Sequence, residues 1–331
     1  MSRIFMDGFE SGDLNLWSSF YGTPAANTLS GKTGNYCLYA PTGIGYLTLN
    51  LSVSKSYIYV AFKFYHTVTT GAYNWGSFIA FYSGGTRLGG LMFKATPTVS
   101  ATYTTDTNIV NSSISPEPAN VWCQYEIYYL PHVSNGSFVV KRNGVTVINA
   151  TGVQTAPSTT NLDRILLGMS NSGVGAVYFD DFILDDVGWI GSTSIQGLAV
   201  TGAGNSAQFD PSTGSNYACV DEIPPSDADY ISTNVANEID TYACGDLTGT
   251  INSVKAVQVQ ARCMQEGSPA VPKIQLVTRP TSTDRVSVSK SVQTFAPGVV
   301  SNIWELNPDD SAAWESADVN GMEIGVKAVA S

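Results

Sequence analysis

Two groups of residues in this chain carry side chains able to do chemistry. The first is acidic: the run Val177-Tyr178-Phe179-Asp180-Asp181-Phe182-Ile183-Leu184-Asp185-Asp186 has a counterpart near the start, Met6-Asp7-Gly8-Phe9-Glu10. If the two segments pair as closing strands of one sheet, Asp7, Glu10, Asp180 and Asp181 bring carboxylate oxygens together. Calcium, which takes about six to eight oxygen ligands, is the cation such a group would hold, in a structural role. The plainer alternative places Phe179, Phe182 and Leu184 in the core and leaves the aspartates facing water at strand ends. The second group is Tyr73, Asn74 and Trp75, in the Gly-bounded segment Thr70–Gly76. An aromatic face beside an amide suits a sugar, whose ring stacks on the aromatic while its hydroxyls take the hydrogen bonds. Against this, Trp75 also fits a core position at the start of the next strand.

Other chemistries lack their residues. A retaining glucanase needs two carboxylates roughly 5–5.5 Å apart, usually supplied by a Glu-x-Asp-x-x-Glu run, and Glu126 stands alone among aromatics while Glu238-Ile239-Asp240 lies in the other half. Serine hydrolysis needs a histidine base; His66 and His132 are the only two, and there is no Gly-x-Ser-x-Gly elbow. Gly202-Ala203-Gly204 has no strand–helix context for a nucleotide and reads as linker. The expectation is a chain that is not an enzyme.

The net charge of −11 is unevenly spread, with 9 basic and 11 acidic residues in 1–190 against 7 and 16 in 191–331. An acidic surface argues against nucleic acid and anionic lipid as partners. No apolar stretch is long enough to span a membrane, and Met1-Ser2-Arg3 leads almost at once to Asp7 and Glu10 without a signal-like apolar run. The chain therefore reads as made in a cytoplasm without a signal peptide. Cys37, Cys123, Cys219, Cys244 and Cys263 contain no CxxC pair, which suits reduced thiols, with a single bridge within 219–263 as the alternative.

The elements that must position these residues are strands. Tyr46–Leu51 and Tyr57–Phe64 are rich in aromatic and β-branched residues, and Phe78–Tyr82 meets Leu88–Phe93 across Ser83-Gly84-Gly85-Thr86. Asn120–Tyr129 follows, then Ser137–Lys141 and Val145–Asn149 about Arg142-Asn143-Gly144, where Asn-Gly favours a tight hairpin. Leu162–Met169 and Ala176–Leu184 finish the sheet, and one helical turn is expected near Asp13–Trp17. After residue 190 the pattern changes: a small-residue linker, 191–204, precedes alternating segments Ser253–Arg262, Lys273–Arg279 and Arg285–Val292.

The set "DGFE-SGDLNLW", "NVWCQYEIYY", "SFVVKRNGVTVINATG" and "VYFDDFILDD" resembles the concanavalin A-like or laminin-G-like jelly roll over about 3–190. That implies a two-sheet antiparallel sandwich, an architecture that hosts binding, catalysis and scaffolding alike. Residues 205–331, with "NYACVDEIPPSDADYISTNVANEIDTYACGDL" and "IWELNPDDSAAWESADVNGMEIGV", resemble a module of tailed-bacteriophage structural proteins. This implies an all-β chain of two sandwiches, 1–190 and 205–331, serving as a non-enzymatic virion structural protein at the particle surface, in capsid decoration or a tail appendage. Other virion proteins, further copies of itself and a host glycan are the partners it implies. The alternative reading is an adhesin that recognises host polysaccharide.

Overall fold

A computed structural model describes residues 3–29, 33–41, 44–67, 76–93, 99–103, 107–113, 118–169, 176–267 and 271–330. The chain is all-β, and it divides into two units, Met1–Ile195 and Gln196–Ser331.

In the first unit the described strands are β1 (Arg3–Asp7), β2 (Ser19–Tyr21), β3 (Ala25–Asn27), β4 (Cys37–Ala40), β5 (Gly45–Lys55), β6 (Ile58–His66), β7 (Gly76–Ser83), β8 (Thr86–Phe93), β9 (Val99–Tyr103), β10 (Thr107–Ser113), β11 (Cys123–Leu130), β12 (Gly136–Arg142), β13 (Val145–Val153), β14 (Leu162–Met169) and β15 (Val177–Asp185). They form two antiparallel sheets. The first runs β13-β12-β11-β6-β15-β4-β3, with β1 also paired to β15, and the second runs β10-β9-β8-β7-β14-β5-β2.

Period-two alternation explains why the sheets pack face to face. Val60, Phe62 and Phe64 of β6, Tyr125, Ile127 and Tyr129 of β11 and Phe179 of β15 point inward from the first sheet. Leu47, Leu49, Ile79, Phe81, Leu91, Ile165 and Leu167 meet them from the second, and all are buried. The rings interlock between the layers: Phe64 stacks on Phe78 at 4.8 Å and Phe81 on Tyr129 at 4.7 Å. Burying a large apolar side chain contributes about 1.5–3 kcal/mol, so these positions dominate the stability of the unit.

The opening and closing segments do pair. Asp7 lies opposite Phe182 and Met6 opposite Ile183. The helical turn expected near Asp13–Trp17 is instead an irregular turn in which Trp17 N–H donates to the Leu14 carbonyl at 3.1 Å. What holds it is packing, for the Trp17 ring lies against Phe5, Phe9 and Phe182.

In the second unit, Val200–Ala207, Ile239–Cys244, Glu323–Val329, Lys273–Arg279 and Arg285–Val286 lie side by side in one sheet, and Lys290–Ser291 also pairs with Lys273–Arg279. Val257–Cys263 and Gly298–Trp304 form a separate ladder, and Ser316–Asn320 is a short helix. The stretch read from sequence as linker, 191–204, therefore contains the start of a strand. Its glycines and small residues gave no apolar alternation, because the strand is held through its backbone. Asn205 N–H donates to Glu323 Oε2 and Ser206 N–H to Thr241 Oγ1, at 2.8 and 3.0 Å. The core of this unit is small, centred on Val257, Trp314, Val319 and Met322. The five cysteines form no disulfide.

Candidate functional site

Strand pairing places a row of functional side chains across the outer face of the second sheet. Arg87 of β8 lies opposite Tyr82 of β7, and Tyr82 lies opposite Arg164 of β14. The next strand continues the row with Asn50, opposite Arg164. Directly opposed residues share a face, so Arg87 and Arg164 approach the row from the strands on either side of Tyr82, and the Arg164 guanidinium meets its ring. The Arg164 guanidinium carbon stands 4.7 Å from the centre of the Tyr82 ring, a cation–π contact. Arg164 Nε is buried without a hydrogen-bond partner among the described residues. Arg87 Nη2 donates to Ser77 Oγ at 2.6 Å and to Thr102 Oγ1 at 3.2 Å, which fixes its guanidinium against the sheet.

Further along β5 on the same face, Tyr46 stacks on Tyr21 with ring centres 5.4 Å apart and planes inclined by 16°. Tyr21 is 57% exposed. Tyr46 lies four residues from Asn50, so the tyrosine pair and the arginine row are about 13 Å apart along the strand. The nearby carboxylate of Asp163 is spent on the β7–β8 turn, where it accepts the Gly84 N–H at 2.9 and 3.0 Å. This face therefore joins aromatic platforms to cations.

The four acidic residues expected to gather a cation lie elsewhere, at the edge and outer face of the first sheet. Asp7 is buried and accepts Phe9 N–H at 2.7 Å and Trp17 Nε1–H at 2.8 Å. Burial outweighs those bonds and pushes its carboxyl up to about 7. Glu10 accepts the backbone N–H groups of Asn35 and Tyr36. Asp180 accepts the N–H of Asp181 at 2.7 Å and of Thr33 at 3.2 Å, and its carboxyl is raised first by burial and then by the neighbouring Asp181 carboxylate. Asp181 pairs with Lys63 at 2.7 Å and accepts Thr33 Oγ1–H and the Ile195 N–H, at 3.0 and 2.6 Å. Among the described residues no group of three or more His, Cys, Asp or Glu is placed to hold a metal ion.

What this acidic region does hold is the chain itself. Residues 187–195 run back over the outer face of the first sheet. Gly191 N–H donates to Glu126 Oε1 at 2.8 Å, Gln124 Nε2 donates to the Gly191 carbonyl at 2.7 Å, and Ile195 N–H reaches Asp181. Trp189 packs on Tyr59 at 5.4 Å, beneath the Lys141 ammonium at 3.7 Å.

Tyr73, Asn74 and Trp75 lie outside the described residues. His132 accepts the N–H groups of Ser134 and Asn135 on Nδ1 and so shapes a turn. The residues that sequence reasoning passed over are Arg87, Tyr82, Arg164, Tyr21 and Tyr46. The hairpin Phe78–Phe93 already set Tyr82 and Arg87 on facing arms; only the pairing of β7 with the distant β14 adds Arg164.

No family model matches the chain, and no curated protein matches it. Solved structures are similar to it over about half its length. An endo-β-1,4-glucuronan lyase from the fungus Trichoderma reesei is 13% identical with a TM-score of 0.47, covering 56% of this chain and 96% of its own. An alginate lyase from Chlorella virus is 14% identical with a TM-score of 0.36, covering 51% and 93%. Domain 4 of an extracellular arabinanase from Geobacillus stearothermophilus is 14% identical with a TM-score of 0.37, covering 55% and 91%. These three are carbohydrate-active proteins, enzymes among them, and none is a phage virion component, against the expectation drawn from sequence of a non-enzymatic virion structural protein. The short motifs of residues 205–331 misled because turn-rich, Asp- and Ala-rich segments between strands are common to many β proteins.

Proposed function

We propose that the first unit is a carbohydrate-active β-sandwich that takes an acidic polysaccharide across the outer face of its second sheet. The observation that carries this reading is the Arg164 guanidinium on the Tyr82 ring, with Arg87 opposite Tyr82 on the next strand. A guanidinium offers paired N–H donors that match a carboxylate, and a charge-assisted pair of this kind is stronger than a neutral hydrogen bond. Tyr21 and Tyr46, at a distance of a few sugar units, supply stacking surface for the ring C–H faces. Unit 1 thus combines the two kinds of contact that a uronate polymer asks for.

The same row supports chemistry. β-Elimination at a uronate removes the proton on the carbon next to the carboxylate, and the bond to the oxygen of the next sugar breaks to leave a double bond. No co-reactant is needed. A cation on the carboxylate acidifies that proton, and the Tyr82 phenol beside Arg164 is a group able to take or give one.

The test is binding of the intact chain to glucuronan, alginate and polygalacturonate, with neutral polymers as controls, followed by ultraviolet absorbance for unsaturated products. Binding to the acidic polymers that weakens as salt is added supports the reading. Arg164→Ala is expected to weaken it about tenfold or more, the equivalent of about 1.5–3 kcal/mol for a hydrogen bond to a charged group. Binding to the acidic polymers that salt leaves unchanged, or an Arg164→Ala variant that binds them as tightly as the parent, overturns it.

A further inference from the structure

A second aromatic feature lies on the opposite side of the sandwich. On the outer face of the first sheet Tyr39 of β4 is opposite Tyr178 of β15, and Tyr178 is opposite Tyr65 of β6. The register of β11 on β6, with Cys123 opposite Phe64, sets Trp122 beside Tyr65. Four rings from four neighbouring strands therefore stand in one line across the sheet. Their centres are 5.1, 5.6 and 5.4 Å apart in order, close to the strand spacing of about 4.8 Å. All four are half-buried, each offering part of its ring to solvent.

From this row we infer a second saccharide site, one that takes a neutral, extended glycan. Three observations select that occupant. The ring-to-ring step is close to the advance of one pyranose unit along an extended chain, so successive sugars meet successive rings. The row carries donors and acceptors at its rim: the tyrosine hydroxyls and Asn120, whose Oδ1 accepts the Tyr65 hydroxyl at 3.2 Å. Among the described residues it has no cation to receive a carboxylate, because Lys63 in the adjoining row is committed to Asp181 at 2.7 Å. Tyr and Trp, with an apolar body and a polar tip, suit a ligand that is itself apolar on its ring faces and polar at its edges.

The other end of the same sheet shows the row's distinctness. There Tyr57, Tyr59 and Tyr128 also cluster, but Trp189 of the returning segment already sits on them. That cluster is an internal seam. Among the described residues no further ring covers the Tyr39–Trp122 row, and cross-strand packing alone explains pairs of rings better than a file of four.

The experiment titrates the intact chain with soluble neutral polysaccharides (mixed-linkage glucan, xyloglucan and galactomannan) while tryptophan emission is followed. At least one is expected to bind and change the emission. Tyr178→Ala and Trp122→Ala are expected to weaken that binding tenfold or more, while Tyr178→Phe, which keeps the ring, stays within about threefold. Tyr39→Ala, nearer the sheet edge, provides a second reading if Tyr178→Ala does not fold. Arg164→Ala must leave neutral-glycan binding unchanged, which separates this site from the cationic face. Absence of binding to every neutral polymer overturns the proposal, as does binding indifferent to Tyr178→Ala, Tyr39→Ala and Trp122→Ala. Concentration-dependent self-association in ultracentrifugation that Tyr39→Ala abolishes overturns it in favour of a second copy as the occupant.

Discussion

At the scale of single residues, carboxyl groups and arginines divide the labour of the first unit. The acidic run around Asp180 stands out in the sequence, and its place at the close of the sheet was legible there. Its role was not, because the partners that consume each carboxylate, Thr33, Lys63 and the Ile195 N–H, are far away along the chain. Asp7 gives a measurable consequence. Its carboxyl moves from an ordinary value of 3.8 to about 7 because burial disfavours the charge. A raised acid stabilises the folded chain in its protonated form, so that contribution is full below the ordinary value and is lost as pH rises through about 7. Denaturant unfolding of the parent should therefore show stability falling between about pH 4 and about pH 7, with a shallower fall in Asp7→Asn, whose amide does not titrate. Parallel slopes for the two proteins would contradict the assignment. Arginine is the opposite case: Arg87 and Arg164 are unremarkable in sequence, separated by 76 further residues, and acquire meaning only from register.

Strands set that register. The hairpins of β7 with β8 and β12 with β13 were readable because Gly-Gly and Asn-Gly mark tight turns between apolar arms. The long-range pairings of β14 with β5 and β7 were not, since alternation says which side chains share a face but not which strands are neighbours. One glycine shows how narrowly this pairing is set. Gly168 of β14 lies opposite Tyr46 at a φ of 129°, and a Cβ there would stand 2.4 Å from the Gly45 carbonyl oxygen and 2.6 Å from the Tyr46 Cα. Gly168→Ala is expected to cost at least about 1–3 kcal/mol, the scale of one strained backbone position. It should also shift Tyr46 and weaken polysaccharide binding, so a chemical melt and a titration read the same change. A variant as stable as the parent would show that the pairing tolerates displacement.

For the whole molecule, two sandwiches with cores of unequal size make a prediction about unfolding. The first unit buries rings from both sheets throughout its length, whereas the second centres on Val257, Trp314, Val319 and Met322. Because buried apolar surface is the main stabilising term, calorimetry of the intact chain should show two transitions, the lower one belonging to 196–331 and reported by Trp304 and Trp314. A single transition would mean that the two units unfold together. The all-β class was legible from composition and alternation. The function was misread, because the second half drew attention while the cationic face was assembled from strands scattered over the first. The most direct test of that face is calorimetric titration of the intact chain with a short oligouronate, beside Arg164→Ala. Saturable binding that salt weakens, and that falls about tenfold or more in the variant, is the expected result; no binding by the parent, or equal binding by both, would contradict it.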